Sequence, residues 1–422
     1  MCHHCHVHFL VICYSLLTII SNSSDSSIFW FDLPVCDSCS HLSDISSRAP
    51  QRNDGYQRPL TCEPAIPVSD GSRVHIGDSV IYNCSLPCNI GDSFFGVEQR
   101  RVAQYMIGVT AIVCLLSSLF TVATFLVDMS RFRYPQRPII FISGCYCVVA
   151  IAYLVGFTIG NQIACVDVKG QSVQVVRQGT QYEGCTIIFM LLYFFSMASS
   201  IWWVVLTITW FLSAGLKWGN EAIERHAHYF HLAAWTIPAA KTIVLLAFGQ
   251  IDGDPLAGVC VAGGTDVWWL RALVLAPLCV YLGLGICFLL AGFVALCRIR
   301  TVMKHGGSRV DKLERLMVRI SIYSVLYTVP AIVVIVCYFY EQASRASWLL
   351  AWHQAASPAR CQGNCSKDAS SMPEFTVFMI KYLMALIVGI MSGFWIWSSK
   401  TLSSWRRFCC VIVCRNSEPS AI

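Results

Sequence analysis

The residue types best suited to metal chemistry lie in one short run at the beginning of the chain. Cysteine and histidine are ligands of tetrahedral zinc, and five of them are consecutive there: Cys2, His3, His4, Cys5 and His6. They are not spaced as a chelating loop, and their segment is expected to be cleaved, so we expect no metal site. No paired carboxylates or catalytic triad converge on a predicted site, so the sequence predicts neither an enzyme nor a bound cofactor.

Two lysines lie inside long apolar stretches, where a charge is costly. Lys241 and Lys381 should therefore face the interior of a helix bundle. They could line a polar pathway, extend toward the membrane surface, or be hydrogen-bonded for structural reasons. A transporter or channel is a distant alternative, because the sequence shows no inverted repeat with matched broken spans.

The chain also contains 23 cysteines, which could form disulfides. After residue 60, eight of them lie outside the apolar stretches on the side expected to be oxidising, where cysteines pair: Cys62, Cys84, Cys88, Cys165, Cys185, Cys260, Cys361 and Cys365. Cys185 lies just before the third apolar stretch and Cys260 lies in the following outer loop, which favours the pair Cys185–Cys260. Cys361 and Cys365 could close their own loop.

Two glycosylation sequons overlap these cysteines. Asn83 begins Asn-Cys-Ser and Asn364 begins another Asn-Cys-Ser, so both are candidate glycan sites. The middle cysteine could instead pair before a glycan is transferred, which would leave the sequon unused.

Seven apolar stretches must position all these residues. Hydrophobic residues make up 56% of the chain, charged residues 13%, and the mean hydropathy is +0.59. Soluble proteins carry about 25% charged residues, and a helix crosses a bilayer with about 20 apolar residues. The sequence thus predicts an all-α membrane protein, a seven-transmembrane helix bundle, with spans at 102–127, 138–160, 187–212, 228–249, 272–297, 316–340 and 375–398.

The distribution of basic residues predicts the orientation of the bundle. Four segments that would share the side of the C-terminus hold 15 Lys and Arg, and the three opposite loops hold five. Basic residues favour the cytoplasmic side, so we expect an extracellular N-terminus, a cytoplasmic C-terminus and a plasma-membrane location. The net charge of +6 is explained by attraction to the anionic inner leaflet, so no nucleic-acid partner is expected.

The chain before the first span has a composition of its own. The apolar run 7–20 followed by small polar residues predicts a signal peptide, with a short extra span as the alternative. The following stretch is rich in Ser and Asp and should be disordered. The expected segments are a signal peptide at 1–21, a disordered extracellular stub at 22–60, a small disulfide-stapled linker at 61–101, the helix bundle at 102–398 and a cytoplasmic tail at 399–422.

The tail begins with the segment Lys400-Thr401-Leu402-Ser403-Ser404-Trp405. In a helix, Thr401 and Trp405 lie on one face, four residues apart. Lys400 would remain at the lipid headgroups, and tryptophan prefers the membrane interface. The segment could therefore be a docking site for a partner or simply an anchor for the seventh helix.

Two further features of the tail are candidates for modification and binding. Cys409, Cys410 and Cys414 follow two arginines and are candidates for palmitoylation, with free thiols as the alternative. The last three residues fit a ligand for a PDZ domain, which binds a C-terminus as an added strand.

Several long blocks of sequence resemble the Frizzled receptors, and the expected branch is that of Frizzled-5 and Frizzled-8. The blocks follow one another in the order of the family over about residues 60–410 and include 125–141, 193–221, 229–235, 252–260, 289–301, 311–342 and 381–406. The resemblance implies a seven-transmembrane receptor of the Frizzled/Smoothened type, belonging to the G-protein-coupled architecture.

The resemblance also implies specific roles for residues. Lys400, Thr401 and Trp405 match the Lys-Thr-x-x-x-Trp signature that recruits Dishevelled, helped by the third cytoplasmic loop. Arg319 and Trp395 match the pair that forms an activation switch, and an Arg over a Trp face is a sound physical pair. Disulfides Cys62–Cys84 and Cys88–Cys165 are implied as well. A heterotrimeric G protein and homo- or hetero-dimerisation are further implied partnerships.

One part of the family pattern is not found in this sequence. Frizzled receptors carry a ten-cysteine extracellular domain that binds Wnt, whereas only Cys36 and Cys39 lie between the signal segment and the linker. Wnt binding is therefore left open by the sequence. The alternative is a truncated modulator, or a dominant-negative partner of full-length Frizzleds, which binds no ligand.

Overall fold

A computed structural model describes residues 66–67, 72–76, 79–88, 94–129, 132–168, 174–302, 309–355, 373–396 and 399–416. All of them belong to one compact unit, Cys62–Ile422. The expected signal peptide at 1–21 and the stub at 22–60 lie outside the described residues.

Seven helices of this part of the chain are long and apolar enough to cross a membrane, which confirms the predicted seven-helix bundle. We call them the first to seventh spans in chain order. The helices are α1 Val97–Val127, α2 Arg137–Ala164, α3 Glu183–Ala214, α4 Asn220–Arg225, α5 Ala227–Ala247, α6 Val267–Trp269, a π-helical turn Leu270–Leu275, α7 Ala276–Val302, α8 Arg309–Ala355, α9 Phe375–Ile396 and α10 Ser399–Asn416. The spans are α1, α2, α3, α5, the continuous α6–α7 segment, α8 and α9.

The third span is the centre of the bundle. Its tryptophans Trp202, Trp203 and Trp210 are all at most 1% exposed. Two glycines of the fifth span make room for two of the indoles, because a Cβ on Gly285 would lie 2.1 Å from Trp203, and one on Gly292 would lie 2.0 Å from Trp210. Small residues thus let two helices approach closely, as is common in membrane bundles.

Four antiparallel hairpins or strand pairs lie at one end of the bundle, which we call the hairpin end. The strands are β1 Ile66–Pro67, β2 Arg73–Ile76, β3 Ser79–Tyr82, β4 Cys84–Ser85, β5 Cys165–Asp167, β6 Gln174–Val176, β7 Ile251–Asp254 and β8 Val259–Ala262. They pair as β1–β4, β2–β3, β5–β6 and β7–β8. The opposite end, which carries α4 and α10, is the tail end.

The hairpins are joined to one another by hydrogen bonds and disulfides. A β-bridge joins Gln178, two residues after β6, to Asp252 of β7. The side chain of Gln178 also accepts a hydrogen bond from the backbone N–H of Arg73 in β2 at 2.9 Å. Disulfides join Cys88 to Cys165 and Cys185 to Cys260. The linker and both loops therefore form one connected layer over the bundle.

Several helices extend beyond the bounds expected from the sequence. The first helix begins at Val97 rather than at 102. The sixth continues to Ala355, fifteen residues beyond the expected end at 340. Hydropathy marks where a helix leaves the apolar region, but the backbone continues to form helical hydrogen bonds in water, so the boundary of a span is not the end of its helix.

Candidate functional site

The helix α10 holds the tail segment against the first span. Thr401 is only 4% exposed, and Trp405 is half-buried. The two residues lie on the same face of α10, as their four-residue spacing predicts. The side chain of Lys400 lies outside the described residues.

Trp405 makes two distinct contacts with the first span. Its indole Nε1 donates to Thr124 Oγ1 at 3.1 Å. Its ring stacks on Phe120 with centroids 6.0 Å apart and an interplanar angle of 9°. Phe408, one turn later in α10, packs edge-on against the same indole. A polar and an aromatic contact together fix both the position and the tilt of the ring.

A second hydrogen bond joins the same two helices. Ser404 Oγ donates to Asp128 Oδ2 at 3.0 Å. Asp128 follows the last residue of α1, and its backbone N–H donates to Thr124 O. Thr124 and Asp128, one turn apart at the end of the first span, thus accept hydrogen bonds from the adjacent residues Trp405 and Ser404 of α10.

The second expected feature of the tail end is the switch pair. Arg319 lies on α8 and is exposed. Trp395 lies on α9, but its side chain is outside the described residues, so the contact stays a prediction. The basic loop is also only partly described, since residues 303–308 lie outside. Elsewhere at this end, Arg137 forms a 2.7 Å ion pair with Glu224, which joins the second span to α4.

At the hairpin end, the bundle encloses a cavity of about 340 Å³. The β7–β8 hairpin covers it, and six spans, all but the fourth, contribute to its lining. The hairpin reaches deep because glycine permits close contact: a Cβ on Gly160 would lie 2.6 Å from the Cα of Gly258. Gly258 itself has a φ of +68°, which other residues rarely adopt.

Two aspartates of this hairpin face different neighbours. Asp254 accepts a hydrogen bond from the hydroxyl of Tyr382. Asp252 accepts from the backbone N–H of Thr265 at 2.9 Å and from its hydroxyl. Burial raises the pKa of the Asp252 carboxyl, and the Thr265 hydrogen bonds and the charge of Arg345 act in the opposite direction.

The charge of Lys381 is neutralised inside the bundle. Lys381 Nζ lies 2.9 Å from Glu341 Oε2, and Arg345 lies 2.6 Å from the other oxygen of the same carboxylate. Arg345 also donates to Gly263 O of the loop after β8. Glu341 therefore joins the sixth span to the seventh, and Arg345 joins the sixth span to the loop after β8.

Lys241 is held by aromatic rings rather than by a carboxylate. Its Nζ donates to the Tyr281 hydroxyl at 3.0 Å and lies 5.0 Å from the centre of that ring. The ring of Tyr193 is 5.9 Å away. Of the roles left open by the sequence, these contacts favour the hydrogen-bonded structural one for Lys241. Lys381 is paired with Glu341 and also lines the cavity at the hairpin end.

Only part of the expected disulfides and sequons lies within the described residues. Cys84 is disulfide-bonded, but its expected partner Cys62 lies outside the described residues, as do Cys361, Cys365 and Asn364. Asn83 is exposed, whereas the sequon's Ser85 is fully buried and donates to Val176 O.

The three candidate cysteines of the tail lie on α10. Cys410 is exposed and is not in a disulfide, and the side chains of Cys409 and Cys414 are outside the described residues. Among the residues that the structure describes, no group of three or more His, Cys, Asp or Glu could hold a metal ion. The run Cys2 to His6 is not among them.

Sequence reasoning missed the partners of these residues. Glu341 directly follows the sixth span expected at 316–340, where a carboxylate would be an ordinary loop residue. A signal was nevertheless present, because Lys381 in the seventh span needs a buried counter-charge. Thr124 and Phe120 gave no signal, since they look like ordinary residues of an apolar helix.

Comparison with known proteins shows which family has this architecture. A family model described as the Frizzled/Smoothened family membrane region matches residues 94–412. The chain is 54% identical to Frizzled-1 of Xenopus laevis over 360 residues, which is 84% of this chain and 64% of that protein. It is 56% identical to Frizzled-1 of Rattus norvegicus over 363 residues, covering 83% of this chain and 56% of that protein.

Two consequences follow from these matches. The chain spans less than two thirds of the length of either relative. The expected branch, that of Frizzled-5 and Frizzled-8, is not supported, because both of these relatives are Frizzled-1 proteins. With seven membrane-length helices and a family match over three quarters of its residues, the chain is a multi-pass membrane protein that belongs to the Frizzled/Smoothened family.

Proposed function

We propose that this protein is a Frizzled-type receptor of Wnt signalling that transmits a signal from the hairpin end to Dishevelled at the tail end. The observation that carries the proposal is the family match over residues 94–412, which includes all seven spans and most of α10. An identity of 54–56% to two Frizzled-1 proteins supports the same function.

The hairpin end is extracellular and the tail end is cytoplasmic in this proposal. The disulfides Cys88–Cys165 and Cys185–Cys260 both lie at the hairpin end, and disulfides persist in oxidising surroundings. The threefold excess of basic residues in the opposite segments supports the same orientation.

The tail segment with Lys400, Thr401 and Trp405 recruits Dishevelled, together with the basic third loop. Support comes from the match of these residues to the family signature and from their position on a single helix at the tail end. A Wnt protein is the proposed stimulus. The alternative, a modulator without a ligand of its own, predicts no response in cells that lack every other Frizzled.

The test is Dishevelled recruitment in such Frizzled-deficient cells. Wild-type receptor should recruit Dishevelled and activate the pathway, whereas Trp405→Ala should lose recruitment at an unchanged surface level. Trp268→Ala is the matched control, because Trp268 is an exposed tryptophan at the opposite end. Unaltered recruitment by Trp405→Ala would reject the docking assignment, and recruitment without pathway output would favour the modulator.

A further inference from the structure

The residues of α10 separate into two faces. Thr401, Ser404 and Trp405 lie on one side of the helix. Ser404 and Trp405 donate hydrogen bonds to residues at the end of the first span, and Thr401 is buried. Leu402 and Arg406 lie four residues apart on another side and are exposed, Leu402 to 63%. The two signature side chains Thr401 and Trp405 are therefore directed toward the receptor itself.

Two side chains of the first span, those of Thr124 and Phe120, form the contact with Trp405. Thr124 is fully buried, and its hydroxyl donates to Phe120 O at 2.7 Å while it accepts from the Trp405 indole. A hydroxyl both donates and accepts, so Thr124 satisfies both of its neighbours. Phe120 supplies the ring beneath the indole.

The contact also fixes the direction of α10. Trp405 is held near the last turn of α1, and Ser404 is held by Asp128, the residue directly after that helix. Two attachment points on adjacent residues restrict both the position of α10 and its rotation about its own axis. A single contact would leave the rotation free.

We infer that Phe120, Thr124 and Asp128 are positioning residues for the Dishevelled-docking segment, and that Trp405 acts through them rather than as a direct contact of Dishevelled. The inference rests on the proposed function, since it explains how the docking segment is presented. Loss of recruitment in Trp405→Ala then follows from a misplaced α10.

The matched pair of variants is Thr124→Val and Thr110→Val. Both threonines lie on α1, and both donate to the carbonyl four residues earlier, Thr110 to Met106 at 2.8 Å. Only Thr124 also receives the Trp405 indole. The two substitutions therefore remove the same local hydrogen bond and differ in the contact with α10.

The experiment measures the affinity of purified full-chain receptor in nanodiscs for purified Dishevelled, together with the melting temperature of each variant. We expect Thr124→Val to weaken binding roughly fivefold, the usual effect of one hydrogen bond. Thr110→Val should bind as wild type does. Trp405→Phe keeps the stack on Phe120 and should bind more tightly than Trp405→Ala.

A double-mutant cycle separates positioning from general loss of stability. Trp405→Phe and Thr124→Val remove the same hydrogen bond, so the double variant should bind no more weakly than the weaker single variant. Additive losses in the double variant would overturn the inference. So would wild-type affinity in both Thr124→Val and Phe120→Ala beside a loss in Trp405→Ala. Neither outcome would contradict the proposed function. Wild-type receptor that fails to bind Dishevelled would overturn the proposed function as well.

Discussion

Lys381 of the seventh span and Glu341 of the sixth form an ion pair at 2.9 Å, and neither residue is more than 9% exposed. Each charge is costly to bury and is tolerated because the other is present. The pair therefore holds two spans together at the hairpin end. Arg345 gives the carboxylate a second partner, also at close range.

Removing the carboxylate should expose this dependence. Glu341→Gln leaves the Lys381 ammonium buried without its counter-charge, and we expect a loss of about 3–5 kcal/mol in the free energy of unfolding. Glu98→Gln is the control, because its pair with Arg101 is solvent-exposed and is worth less than about 1 kcal/mol. Thermal unfolding of both purified variants measures the difference, and equal melting temperatures would contradict the prediction.

A second prediction concerns the contact of the second span with the β7–β8 hairpin. Gly160→Ala places a methyl group 2.6 Å from the Cα of Gly258, and the backbone has to shift. We expect a destabilisation of about 1–3 kcal/mol. Gly144→Ala on the same helix meets nothing within 4 Å, and it should be neutral or stabilise by up to about 1 kcal/mol. Equal melting temperatures for the two variants would show that the hairpin does not fit as described.

A third prediction concerns the disulfide between Cys185 and Cys260, which lie 75 residues apart in the chain. Cys185→Ser releases the hairpin from the third span and should cost about 2–5 kcal/mol. We expect retention of the variant inside the cell. Cys279→Ser removes a cysteine that is not in a disulfide and should reach the surface normally. Flow cytometry of surface-labelled receptor decides, and normal surface levels of Cys185→Ser would argue against a structural role for the bond.

A fourth prediction addresses the switch pair. Arg319→Ala removes the cation expected to lie over Trp395, and this should favour opening at the tail end. Arg319 is exposed, and an exposed cation–π pair is worth about 0.5–1 kcal/mol, so basal Dishevelled recruitment should rise roughly two- to fivefold. Arg133→Ala, another exposed arginine of this end, is the control. An unchanged basal level in Arg319→Ala would remove the switch from the mechanism.

The sequence predicted the elements of this structure better than their contacts. Seven spans follow from hydropathy because lipid leaves a backbone few alternatives to a helix. The common face of Thr401 and Trp405 follows from their spacing alone. These are local properties, and local sequence is enough to predict them.

Contacts between distant residues could not be predicted in the same way. Trp405 contacts Thr124, which lies 281 residues earlier in the chain. The sequence around neither residue indicates that the other is its partner. Glu341 illustrates a different difficulty. Its membership in a buried pair depends on a helix that continues past the apolar stretch to Ala355, and hydropathy does not report that continuation.

The length of α8 has a mechanical consequence. The helix has 47 residues, roughly 70 Å at 1.5 Å per residue, and Pro330 gives it a natural bending point. Glu341 and Arg319 lie eleven residues on either side of that proline. The ion pair at the hairpin end and Arg319 at the tail end therefore belong to one continuous helix. A partner that favours one conformation of this helix at the tail end would change binding affinity at the hairpin end, and a ligand at the hairpin end would change the partner's affinity by the same free energy.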